Sequence, residues 1–162
     1  MSVAKVTRHV RPAHVVVSLE AETRDEAVKD LAGVLVASGA LTKAKGEALV
    51  TEVLGREGEG TTGIGGGVAV PHAKTALVKE LVVAVGMSTR GIEWASVDGD
   101  RVHVVFLIAS PPDANQEYLA LMRWVVSLTR SKYWMKLLRG CATPAAVVEV
   151  LEESFDHPAG GR

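Results

Sequence analysis

A single cysteine, Cys141, in 162 residues excludes an internal disulfide and any cysteine-based metal cluster, and fits a reducing cytosol. As one small, largely apolar residue near an expected helix start, it reads as packing rather than chemistry. Neither sign of charge dominates either. Eighteen Lys and Arg against 19 Asp and Glu leave a formal net charge of −1, so no global field points to a nucleic-acid backbone or an acidic membrane surface. Partners must be recognised locally. The longest strongly apolar stretch, residues 102–109, is interrupted by His103 and falls far short of a bilayer span. The opening MSVAKVTRHVRPAH has basic residues with no apolar segment behind them, unlike a secretory signal. These absences predict a soluble, cytoplasmic protein that is neither membrane-embedded nor nucleic-acid-binding.

What is present is apolar content of 48%, enough for a sizeable core in a chain of one-domain length. The expectation is a single domain over 1–162, with a core at about 13–154 and loose termini, including the closing HPAGGR. A β-branched run predicts a strand at 15–19. Thr23-Arg24-Asp25-Glu26 is a capping box ahead of Ala27, Leu31, Val34 and Leu35 at helical spacing, which predicts a helix over 24–37. A second helix is expected from Thr42 to near Arg56. Seven glycines between Gly55 and Gly67 offer too little side chain for a packed element and read as a loop. That loop feeds a short strand at 68–70, stopped by Pro71, so that His72 stands at a strand end. Further strands are expected at 81–87 and 102–109. After Pro111-Pro112-Asp113 comes a long helix with Leu119, Met122, Val126 and Thr129 on one face, and two shorter helices follow to about 154. Interspersed helices and strands predict an α/β class with a mixed sheet flanked by helices.

The segment from Arg56 to His72 carries the chemistry. It joins an imidazole, a guanidinium and two hydroxyls with exposed backbone amides, the groups that phosphoryl transfer requires. Neutral imidazole is a competent nucleophile, because one ring nitrogen keeps its lone pair. A phosphoryl group in flight needs oriented donors and positive charge. Arg56 can make a planar two-pronged contact. Thr61 and Thr62 can bond phosphoryl oxygens or the idle ring nitrogen, and glycines around them, Gly63 included, let amides approach closely. Each residue also has a plainer reading: a turn histidine, an arginine at a helix carboxyl end, turn-stabilising threonines and a connecting glycine loop.

Other glycine-loop chemistries fail on detail. Gly67 is followed by Val68, not by the Lys-Ser or Lys-Thr of a P-loop, and the loop leads from helix to strand, opposite to a dinucleotide fingerprint. The five histidines form no i, i+3 or i, i+4 pair, so no metal is expected. No Gly-x-Ser-x-Gly marks a serine hydrolase. Trp124 and Leu128 lie on a helical stripe and read as packing.

Arg56-Glu57, Thr61-Thr62-Gly63-Ile64-Gly65 and Val68-Ala69-Val70-Pro71-His72, in that spacing, resemble the phosphorylation-site signature of fructose/mannitol-type enzyme IIA domains of the bacterial phosphotransferase system. The likeness extends to Thr23–Val28, to Gly91-Ile92 and Asp98-Gly99, and to the helix after Pro111. It implies His72 as phosphoryl acceptor supported by Arg56 and Thr62, with no metal or organic cofactor. It also implies a histidine-containing phosphocarrier protein as donor and a IIB domain, or a regulatory target protein, as outlet. Such domains commonly carry a second histidine after the proline-rich turn, where this chain has Tyr118. A phenol can donate to a phosphoryl oxygen but does not become a cation at neutral pH. The alternative implied by Tyr118 is an interaction module of the same fold with slow or lost transfer.

Overall fold

A computed structural model describes residues 9–157, in which a six-stranded sheet carries helices on both faces. In chain order the elements are β1 (Val15–Val16), α1 (Arg24–Ala37), α2 (Lys43–Glu57), β2 (Gly63–Gly65), β3 (Val68–Ala69), β4 (His72–Lys74), β5 (Val82–Ile92), β6 (Val102–Ser110), α3 (Asn115–Arg130), α4 (Lys132–Arg139) and α5 (Pro144–Asp156). β5 and β6 pair antiparallel at the centre. β1 lies parallel beside β5, while β3 and β4 both lie parallel along the other edge of β6, and β2 closes antiparallel on β3.

The two short strands on β6 are one line of chain. Val68 faces Val104, Ala69 faces Val105, His72 faces Ile108 and Lys74 faces Ser110, so the pairing keeps a single register across residues 70 and 71. Pro71 has no N–H to give the ladder, but its carbonyl still accepts from the Ile108 N–H at 3.0 Å. The expected strand end is therefore only a missing rung, and His72 opens β4.

Side chains alternate across this sheet, and both faces are covered. Val68, Val70, Val104, Phe106 and Ile108 pack with Leu121, Trp124, Val125 and Leu128 of α3 and with buried residues of α4 and α5. Ala69, Ala73, Val105, Leu107 and Ala109 pack with Leu31 and Leu35 of α1 and Leu49 and Val53 of α2. Each such large side chain contributes about 1.5–3 kcal/mol relative to exposure. Thr23 caps α1 by accepting from the Glu26 N–H, and Thr42 caps α2 by accepting from the Lys45 N–H.

Several expectations need correction. β1 is only two residues long, although the Leu19 N–H still donates to the Met87 carbonyl at 2.8 Å. The glycine loop contains β2, because backbone pairing needs no side chains. β5 continues to Ile92 through a bulge after Met87, where the polar Ser88–Arg90 and Gly91 mimic a turn in sequence. On α3 the buried stripe is 121, 124, 125 and 128, whereas Leu119 is half exposed. Two apolar stripes compete on that helix, and the one carrying the large Trp124 is buried. Of the termini expected to be loose, residues 9–12 and 155–157 belong to the fold, with Val10 in the core and α5 running to Asp156, while 1–8 and 158–162 lie outside the described residues.

α1 lies close enough on the sheet that a Cβ on Gly86 would sit 2.8 Å from Leu19 and 3.1 Å from Leu31. Gly33, on the exposed side of α1, has nothing within 4 Å of its Cβ position. Denaturant titration should therefore separate the two glycines. Gly86→Val should destabilise by about 1–3 kcal/mol through overpacking, and Gly33→Ala should stabilise by up to about 1 kcal/mol through helix propensity.

Candidate functional site

The end of α2, strand β4 and the first turn of α3 enclose an open groove of about 710 Å³, lined by Glu52, Arg56, Glu59, His72, Lys74 and Tyr118 among others. The sheet's alternation puts His72 and Lys74 on one side of β4 and buries Ala73 on the other. His72 is half-buried, and its Nδ1–H donates to the Val70 carbonyl at 2.9 Å. A carbonyl can only accept, so this bond holds the neutral ring as the Nδ1–H tautomer and leaves the lone pair on Nε2.

Tyr118 brings its ring to 5.7 Å from the His72 ring, with the planes tilted by 49°. Burial pushes the phenol above its ordinary value and the charge of Arg56 partly opposes this, so the hydroxyl remains a donor throughout the neutral range. Arg56 donates from Nη1 to the Gly60 carbonyl at 3.1 Å. A guanidinium has five N–H donors, so this bond leaves others to face the groove. Lys74 donates from Nζ to Asn115 Oδ1 at 2.9 Å and sits 5.1 Å from the centre of the Tyr118 ring.

The threonines and glycines of the segment are arranged differently. Thr62 is buried, and both its N–H and its hydroxyl donate to the carboxylate of Glu57. The indole N–H of Trp94 donates to the same carboxylate at 3.2 Å. The Thr62 carbonyl accepts from the Val70 N–H at 3.0 Å, which links this buried cluster to the residue that holds the His72 ring. Thr61 donates to the Trp94 carbonyl and accepts from the Gly63 N–H at 3.1 Å. A Cβ on Gly63 would meet Ser96 at under 3 Å, so glycine serves close packing there. Gly65, Gly66 and Gly67 all have positive φ and form the β2–β3 turn. Its Gly66 N–H donates to Asp98, whose carboxyl is held below the ordinary range by the amides of Asp100 and Gly66.

The structure thus gathers His72, Arg56 and Tyr118 at one groove, while Thr61, Thr62 and Gly63 support the chain behind it. Sequence reasoning passed over Lys74, although strand periodicity two residues beyond His72 marks it. It quoted Glu57 within the family signature but gave it no role. Among the described residues, no group of three or more His, Cys, Asp or Glu could hold a metal ion, and no helix is long and apolar enough to cross a membrane.

Known proteins resemble this chain in sequence and in fold. The family described as "Phosphoenolpyruvate-dependent sugar phosphotransferase system, EIIA 2" matches residues 8–154. The chain is 31% identical over 150 residues to the "PTS system fructose-specific EIIABC component" of Bacillus subtilis, covering 92% of this chain but only 23% of that protein. It is also 31% identical to the "Nitrogen regulatory protein" of Bradyrhizobium diazoefficiens, covering 90% of this chain and 94% of the relative. In fold it resembles Nitrogen Regulatory Protein IIA-Ntr of Neisseria meningitidis, with a TM-score of 0.80 at 23% identity over 91% of this chain and 99% of the other.

Removing the Glu57 carboxylate would leave three buried donors without an acceptor. Glu57→Ala is expected to lower unfolding stability by several kcal/mol, at about 1–3 kcal/mol for each unsatisfied group. Glu57→Gln should lose less, since its amide oxygen still accepts. Urea unfolding followed by tryptophan fluorescence checks both, and equal losses would deny the carboxylate its anchoring part.

Proposed function

The chain belongs to the EIIA 2 family of the phosphoenolpyruvate-dependent sugar phosphotransferase system, and on that footing we propose that it is a cytoplasmic phosphoryl carrier accepting on Nε2 of His72. The observation that carries this reading is the bond from His72 Nδ1–H to the Val70 carbonyl, which leaves Nε2 as the nucleophile. The proposed donor is a histidine-containing phosphocarrier protein whose phosphorylated ring is protonated. The Nε2 lone pair forms the new N–P bond, the donor's N–P bond breaks, and its electron pair returns to the donor ring, which leaves as neutral imidazole. His72 then carries a phosphoryl group on Nε2 and keeps its Nδ1 proton, so no further acid or base is consumed. The ring is now cationic, and its bond to the Val70 carbonyl becomes charge-assisted and stronger.

Arg56 and the Tyr118 hydroxyl are the proposed donors to the phosphoryl oxygens, with Thr62, Thr61 and Gly63 setting the chain that presents His72. No metal or organic cofactor enters the scheme. The name of the fructose relative joins A, B and C components, which favours a IIB domain as the outlet. The name of the relative that this chain nearly spans favours a regulatory target protein instead. The accepting chemistry is common to both.

Incubation with phosphoenolpyruvate, enzyme I and the phosphocarrier should add one acid-labile phosphoryl group by intact mass. His72→Ala should take no label while keeping its circular dichroism spectrum. Arg56→Lys should transfer about tenfold more slowly or worse, equivalent to about 1.4 kcal/mol in the barrier. A wild-type chain that takes no label would favour the interaction module, and labelling of the alanine variant would remove His72 from the central place.

The phenol supports a separate test. Tyr118→Phe should slow transfer by the loss of one hydrogen bond, about 0.5–1.5 kcal/mol. Between pH 6 and 8 the phenol stays protonated, so Tyr118 should add no pH-dependent step to the wild-type rate. Tyr118→His should add a further pH-dependent step. Unchanged rates in the phenylalanine variant would reduce Tyr118 to packing.

A further inference from the structure

We infer that Lys74 is a second cationic ligand of the phosphoryl group carried by His72, an inference that rests on the carrier reading above. Lys74 and His72 project on the same side of β4, and both line the same groove. The ammonium is not left to wander. Asn115, the first residue of α3, accepts one of its protons at 2.9 Å, and the Tyr118 ring lies 5.1 Å away. That ring is in turn 5.7 Å from the imidazole, so a phosphoryl group on Nε2 would enter a space bordered by Tyr118 and the ammonium it carries.

The choice of partners matters as much as the position. Both groups that hold Nζ are neutral, and Lys74 forms no ion pair among the described residues. An ammonium has three donors, and the amide oxygen of Asn115 occupies only one. Its full charge stays available, whereas a carboxylate partner would cancel it. Charge balance in the groove gives that cation a purpose. Glu52 and Glu59 line the same groove as Arg56 and Lys74, so the four side chains sum to zero. A phosphoryl group brings about −1.5 to −2 at neutral pH. Without Lys74 it would enter a groove whose other side chains already carry an excess of negative charge, with only Arg56 and the phosphorylated ring itself to oppose it.

Two readouts test the inference, and the first does not depend on the partner proteins. Phosphoramidate, a small chemical donor, should phosphorylate His72 directly, and phosphorus NMR should then follow the ionisation of the bound phosphoryl group. A cation within reach favours the dianion, so Lys74→Met should raise the midpoint of that titration by about one pH unit, and Lys74→Arg should restore it. With enzyme I and the phosphocarrier, Lys74→Met should also lower the transfer rate about tenfold, with circular dichroism unchanged. If wild type and Lys74→Met show the same midpoint while both are labelled on His72, Lys74 is not a ligand and the carrier reading survives. If neither reagent labels His72, the carrier reading itself falls, and the inference with it.

Discussion

The geometry of the site depends on the pairing of residues 68–74 with β6. This stretch must pass a proline, give up one rung of the ladder and still keep its register, and it does so because the carbonyl side of Pro71 remains bonded to β6. Register in a sheet has a period of two, so a slip of one residue would turn His72 and Lys74 to the face now occupied by Ala73. The alanines at 69 and 73 resist that slip. Their side of the sheet is covered by α1 and α2, where an imidazole and an ammonium would be buried without partners. The hydrophobic pattern of two short strands thereby fixes which way His72 and Lys74 point.

Behind this line stands a buried carboxylate without a basic partner among the described residues. Glu57 satisfies its oxygens with a backbone amide, a hydroxyl and an indole, all neutral. It ends α2, one residue after Arg56, so the same helical turn sends the guanidinium toward the groove and the carboxylate into the core. Through Thr62 and Val70 the core side of that turn reaches the carbonyl that orients His72. Arg56 and His72 are brought together by this shared scaffold, although sixteen positions separate them in the chain.

Much of this was legible in advance, for reasons that differ by element. α1 announced itself by Thr23 and Glu26 and by its apolar spacing, and the structure keeps the expected limits. β6 was legible because a short apolar run rich in β-branched residues and broken by His103 alone has few alternatives. The glycine-rich stretch was harder: a strand such as β2 is held by backbone bonds, which leave no trace in side-chain pattern. On α3, two apolar stripes lay about 130° apart at the helical turn, and the one carrying Trp124 packs against Phe106. At the site, residue types pointed to His72 and Arg56. The anchoring of Thr62 by Glu57 was hidden, since a hydroxyl near a phosphoryl site and one facing a buried carboxylate are spelled alike.

The bond between His72 and Val70 has a consequence for how such a site can vary. Its acceptor belongs to the main chain, so no exchange of the side chain at position 70 deletes it, and any residue that keeps the strand geometry will serve. Selection acting on that orientation makes no demand on the side chain at position 70, whose choice is set instead by packing in the core. An alanine scan would pass over it in silence. Only a change to the backbone itself, such as an ester in place of an amide to weaken that carbonyl as an acceptor, would reveal that the tautomer of the His72 ring is written in the peptide link rather than in the alphabet of side chains.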